Sequence, residues 1–143
     1  MVFACRNNQG ERLMYAFDVT INQPMDQAVD TVIAALADEK YGIVSDVNVS
    51  GIFKKKLDVD YGGYRILGAC KAPLAKKVLD ADPNAGALLP CNVVVRESGE
   101  NRTTVAFLDP VFIMSHSGTD AATEVGATAK EELLRVKDAL ASL

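Results

Sequence analysis

Tryptophan is absent from this chain, histidine occurs once, and cysteine occurs three times in 143 residues. A single histidine rules out a metal centre built on several imidazoles. Three cysteines are too few for a disulfide scaffold at this length, and the odd number leaves at least one thiol free, as expected in a reducing compartment. Long apolar runs are missing too, since no stretch approaches the ~20 residues that span a bilayer. The opening Met1-Val2-Phe3-Ala4-Cys5-Arg6 has no basic start and few apolar residues, unlike a secretory signal. The sequence therefore points to the cytoplasm and away from a membrane. Basic charge is not in excess either: a net charge of −4 and a pI of about 4.9 argue against a general binder of nucleic acid or of anionic lipid.

What is present is the material of a globular domain. Hydrophobic residues make up 49% of the chain and charged residues 24%, enough to bury a core without staples and too apolar for disorder. The charge is unevenly spread. Between Gly42 and Asp82 stand 7 basic and 5 acidic residues, whereas the remainder holds 8 basic and 14 acidic. An anion-friendly surface, if the protein has one, belongs to that middle segment.

Periodicity organises the chain into alternating strands and helices. Residues 1–11 read as a leader and 12–143 as one domain. Leu13 to Ile21 is rich in β-favouring residues and predicts a first strand. Asn22-Gln23-Pro24 opens a helix, because a proline in the first turn loses no needed N–H. Met25, Ala28, Val29, Val32, Ile33 and Leu36 then recur at helical spacing, with Gly42 as the expected stop. A second strand carries Ile43, Val44, Val47 and Val49. Ser50 is placed to cap a short helix through Leu57, and a third strand runs from Tyr64 to Cys70. Pro73 to Leu79 reads as a helix ending near Asp82-Pro83-Asn84. Ala87–Arg96 and Thr103–Leu108 flank a Ser98-Gly99-Glu100-Asn101 turn and predict a hairpin, with Pro90 at an edge, a bulge or outside the ladder. Ser115 to Gly118 reads as an open loop. Val125, Ala129, Leu133, Val136 and Leu140 give a final amphipathic helix, with Glu131 and Arg135 as a surface i,i+4 pair. The order β-α-β-(short α)-β-α-β-β-α belongs to the α+β class.

Few residues carry chemistry. Cys70 and Cys91 each end or begin a predicted strand beside a proline-containing turn, where a thiol can reach a cleft. Together they could form a redox pair or hold a soft metal or haem iron through thiolate. Cysteine also packs inertly as a small hydrophobe, and that is its commoner fate. The spacing matches no zinc pattern, so no metal is assigned and no cofactor can be named. Asp109 precedes Pro110 directly after the last strand, and suits either a ligand anchor beside the cysteines or a turn-closing side chain. Lys54, Lys55 and Arg65, with Lys71, Lys76 and Lys77 near in sequence, are candidates to bind an anion. Consecutive lysines on a helix diverge, however, so a solvated face is the default. His116 sits in a polar loop without the context of a nucleophile elbow, and Gly62-Gly63 lacks the pattern of a phosphate-binding loop.

Three blocks, Phe53-Lys54-Lys55-Lys56-Leu57, Tyr64-Arg65-Ile66-Leu67-Gly68-Ala69-Cys70 and Leu88-Leu89-Pro90-Cys91-Asn92-Val93, together with Asp109-Pro110, strongly resemble domain-of-unknown-function family 302. The likeness runs from about Leu13 to the loop at Ser115. It implies a fold similar to the TATA-binding-protein-like arrangement, a curved and mainly antiparallel sheet packed by helices, and a homodimer. It implies no chemistry. In one place the chain departs from the family, which usually follows the first cysteine with an Asn-Pro-Pro-like run where this sequence has Lys71-Ala72-Pro73. If an asparagine at that place holds a ligand in the family, that contact is missing here.

The expectation is a binding module for a small molecule or a protein partner, leaning away from catalysis. The alternative is a thiol-dependent redox, metal or haem protein that uses Cys70 and Cys91.

Overall fold

A computed structural model describes residues 5–6 and 12–143, and of residues 5–6 and 12–13 the backbone alone. The expected leader, 1–11, lies outside the described residues except for Cys5–Arg6 (β1), which pairs antiparallel with Arg12–Leu13 (β2).

Ala16–Ile21 forms β3, with Phe17, Val19 and Ile21 directed into the core. Met25–Asp38 forms α1, whose buried residues Ala28, Val29, Val32 and Leu36 follow the helical stripe read from the sequence. Its end differs from expectation. Lys40, not Gly42, takes the left-handed conformation (φ 69°), while Lys40 N–H bonds Ala37 O at 2.9 Å and Tyr41 N–H bonds Leu36 O at 3.0 Å. This is a Schellman closure, and its hydrophobic contact seats the Tyr41 ring against the helix it terminates. Gly42 is thereby free to begin β4 (Gly42–Asn48).

A bulge between Ile43 and Ser45 leaves Val44 exposed in β4. The helix α2 (Val49–Leu57) is capped by Asn48, whose Oδ1 accepts from Gly51 N–H at 3.0 Å. Ser50, the expected cap, instead donates to Gly62 O. Strand β5 is Tyr64–Cys70, and α3 is Ala72–Ala81 with Pro73 in its first turn. Pro83–Leu88 then winds a short 3-10 helix, so the next strand, β6, starts at Cys91 and not at Ala87. Pro90 stays outside the ladder, after a cis Leu89–Pro90 bond.

Strand β7 (Arg102–Leu108) completes the hairpin. Directly after it, Pro110–Met114 forms α4, a helix that the sequence did not announce. The long α5 (Asp120–Ala141) is capped by Thr119 and buries the predicted stripe. Arg135 on that helix bonds Glu39 Oε1 at 2.7 Å through Nη2, in place of the expected pairing with Glu131.

The five long strands make one open antiparallel sheet in the order β3-β7-β6-β5-β4. Its register carries a row across four strands, Phe17–Phe107–Val93–Leu67, on the face that α1 and the second half of α5 cover. Phe17 and Phe107 stack at 5.4 Å within this main core. The opposite face carries the row Asp18–Ala106–Val94–Ile66–Val47. A second, smaller cluster (Val78, Ala85, Met114, Ala122 and Val125) joins α3, the 3-10 helix, α4 and the first half of α5. Gly126 lets α4 and α5 approach closely, since a Cβ there would stand 3.0 Å from Pro110 O. Gly68 does the same for the sheet, where a Cβ would come within 2.7 Å of Pro90 Cγ. One domain thus holds two packed clusters, and α5 belongs to both.

Candidate functional site

The two clusters leave a cavity between them, where β5 ends and β6 begins. Tyr41 and Ala69 wall it from the main core, and Val78, Met114 and Val125 from the smaller one. Its volume is about 30 Å³, against the roughly 10–15 Å³ that one water needs. Cys70, Lys71, Leu89 and Cys91 also line it, and all four are only partly buried, so the cavity reaches toward solvent on their side. Cys91 pairs across the ladder with Ala69, one residue before Cys70, the last residue of β5. This register, together with the turn of the chain into α3, brings both thiols to one space.

The charges at the cavity neutralise one another. Lys71 Nζ binds Glu132 Oε2 at 2.7 Å and lies 5.6 Å from the centre of the Tyr41 ring. The side chains of Lys71 and Glu132 are 23% and 9% exposed, so neither ion is well hydrated and each depends on the other. Tyr41 is 4% exposed, and its Oη is buried beside the Glu132 carboxylate, just outside strict hydrogen-bond geometry. Burial, reinforced by the nearby Glu132 carboxylate, pushes the Tyr41 phenol far above its ordinary range, so it stays protonated. Burial likewise pushes the Cys91 thiol up to about 11, with Cys70 adding to the rise. At neutral pH Tyr41 and Cys91 therefore stay protonated, and the wall of the cavity is almost wholly apolar.

The structure brings Cys70 and Cys91 together and sends the other candidates elsewhere. Asp109 does not line the cavity. Its Oδ1 caps α4 by accepting from Val111 N–H at 2.9 Å, and its Oδ2 takes Lys130 Nζ at 2.8 Å. Lys54 pairs with Asp58 at 3.0 Å and Asp60 at 3.4 Å on the surface, and Lys55 is exposed. Arg65 pairs with Asp46, in a groove that also holds Asp26 and Glu97 and includes neither lysine. That surroundings would repel an anion. Lys76 and Lys77 bind Asp80 and Glu124. Ser117 donates to Asp82 Oδ2 at 2.8 Å while His116 rests edge-on against Phe112, so no Ser-His-Asp relay forms there. Among the described residues no cluster of three or more His, Cys, Asp or Glu suits a metal ion.

Tyr41 and Glu132 complete the site without being announced by a motif. Glu132 does leave a trace: it falls in the buried phase of α5, between Ala129 and Leu133, where a carboxylate requires a partner. Lys71 is that partner.

Comparison with known proteins agrees with this architecture. The chain matches the family described as domain of unknown function DUF302 over residues 17–140. Among solved structures, the crystal structure of an uncharacterized conserved DUF302 protein from Bacillus stearothermophilus is similar, with a TM-score of 0.80 and 22% identity. The match covers 90% of this chain and 99% of that one, and at such identity it speaks for the fold. No curated protein matches. No helix among the described residues is long and apolar enough to cross a membrane. A family match over most of the chain and a shared fold lead to one conclusion: this chain belongs to the DUF302 family.

Proposed function

We propose that this domain is a binding module for a small molecule, and that its seat is the cavity between the two clusters. The observation that carries the reading is the cavity itself: a small apolar-walled space lined by Tyr41, Cys70 and Cys91. Two well-packed clusters that leave such a space forgo contacts there, and a ligand restores them. The test is a fragment screen by thermal shift, followed by mapping of backbone amide shifts. Hits that raise the melting temperature and move the amides of Cys70, Leu89 and Cys91 support the reading. Broad coverage that moves none of them refutes it. Ala129→Leu, which fills the cavity from α5, is expected to abolish binding while the circular dichroism stays native.

A thiol-dependent redox, metal or haem role is the second reading, favoured by the meeting of Cys70 and Cys91 at one cavity. The raised pKa of Cys91 weighs against it. Thiol titration and metal analysis of protein purified without oxygen would decide it. The unpaired state of Cys70 and Cys91 supports a cytoplasmic home. We also propose a homodimer, closed through the open sheet face where Tyr15 and Val47 are exposed. Light scattering that finds only a 15.3 kDa species would exclude it.

A further inference from the structure

We infer that the open face of the sheet carries a second binding site, a trough along β6 that takes a carboxylate borne on an apolar chain, with Arg96 as its anchor. The inference stands apart from the binding reading above, whose cavity lies beneath α3 and α5.

Size is the first reason. The trough holds about 470 Å³, within the roughly 300–1,000 Å³ of ligand pockets. Its depth follows from side-chain volume. Val94 and Ala106 pair across β6 and β7 and are half-buried, so they make a low floor. Met14 and Tyr15, before β3, are 59% and 48% exposed and rise on one side, and Tyr64 of β5 closes the other.

The second reason is an unclaimed cation. Arg96 is half-buried and lines the trough. Arg65 and Arg135 hold Asp46 and Glu39, whereas no carboxylate among the described residues pairs with Arg96. Its cross-strand neighbours are Tyr64 and Thr104, and the Thr104 hydroxyl is engaged with that of Thr20 at 2.9 Å. A guanidinium offers a planar fork of donors that matches the two oxygens of a carboxylate.

Polarity along the strand is the third. Arg96, Val94 and Asn92 share one face of β6, so a span of roughly 14 Å between the outer Cα atoms begins at a cation, crosses an apolar floor and ends at a neutral amide. Asp18, the other charged residue of the lining, faces Ala106 from β3, two strands from β6. It repels a second acid group on that side, which leaves one place for a carboxylate. A hydrophilic anion would leave Val94, Ala106 and Leu108 wet, whereas an alkyl chain covers them. A second copy resting on Tyr15 and Val47 would roof this trough and enclose its ligand.

The test titrates the full chain at pH 7 with hexanoate and with hexanamide, which have the same number of heavy atoms and differ in charge, and follows backbone amide shifts. The expected result is saturable movement of the Asn92, Val94, Arg96 and Ala106 amides, with hexanoate about tenfold tighter than hexanamide. Arg96→Gln should weaken hexanoate about tenfold, as loss of a charge-assisted hydrogen bond implies, and leave hexanamide unchanged. Ala106→Leu, which raises the floor, should weaken both. The inference is overturned if hexanamide binds as tightly as hexanoate, or if Arg96→Gln leaves the affinity for hexanoate intact. Movement confined to the Cys70, Leu89 and Cys91 amides also overturns it, and supports the cavity reading instead. The acid-against-amide comparison uses the wild-type chain, so it stands even if a variant does not fold.

Discussion

Cys91 allows a quantitative forecast. In the wild-type chain, peptide mass spectrometry follows its alkylation separately from that of Cys5 and Cys70. Its pKa of about 11 leaves roughly one molecule in ten thousand as thiolate at pH 7, whereas a free thiol near 8.5 has roughly 3%. The thiolate fraction is thus lower by a factor of roughly 300. A more basic thiolate is intrinsically more nucleophilic, and a Brønsted slope of about 0.4–0.5 returns roughly tenfold of that deficit. Alkylation by iodoacetamide at pH 7 should therefore run roughly 20- to 30-fold slower than that of glutathione, before any steric shielding. The rate should climb tenfold per pH unit to about pH 10 and level off only near 11. Linkage gives a second readout. The folded pKa of this acid lies above the unfolded one, so the unfolded chain releases its proton first as the pH rises. The stability tied to this group is complete below about pH 8.5 and lost between there and about pH 11, by up to roughly 3 kcal/mol. Urea titrations across that window should show the loss, and Cys91→Ala should flatten it. A rate at pH 7 that matches glutathione, or a plateau below pH 9, would refute the account of a desolvated thiol and revive the redox reading.

Other perturbations are simpler. Lys71→Met should cost about 2–3 kcal/mol in urea unfolding at pH 7, because it strands Glu132, which is 9% exposed, without a counter-ion; restoration of most of that loss by Glu132→Leu in the same chain would establish the coupling. Asp109→Ala removes the cap of α4 and the Lys130 pair together, and should lower stability by about 1–2 kcal/mol. Its ligand affinities should match wild type, and a lost affinity would return Asp109 to the site. Gly68→Val should destabilise by about 1–3 kcal/mol, since the added side chain meets the Ser45 hydroxyl and the rigid ring of Pro90. An unchanged denaturation midpoint there would show that the Pro90 turn yields easily.

Much of the fold was legible because period and burial coincide. The stripes of α1 and α5 and the hairpin of β6 and β7 could be read directly, since their apolar residues serve a single core. What escaped is local. Lys40 supplies a left-handed turn usually left to glycine, so Gly42 was misread as a stop. Asn48 displaced Ser50 as a cap because its side chain reaches Gly51 N–H while Ser50 is engaged with Gly62. The helix α4 is too short for periodicity, although Asp109-Pro110 is a serviceable start signal for it. Of the site, the cysteines stood out through their strand-end positions. Tyr41 and Glu132 did not, because they lie 91 positions apart in the chain and only the packing of α5 over the end of α1 unites them.

The sharing of α5 between two clusters of unequal size has a consequence for motion. Fifteen buried side chains anchor its second half and the sheet, and five hold the smaller cluster. Free energies of local opening follow such differences, so the α3–α4 unit should exchange its amide protons through excursions that leave the sheet protected. One wall of the cavity should move in those excursions while the other stands still. On this expectation the aperture is set by a lobe hinged along a single helix, and a ligand in the cavity would clamp that lobe shut.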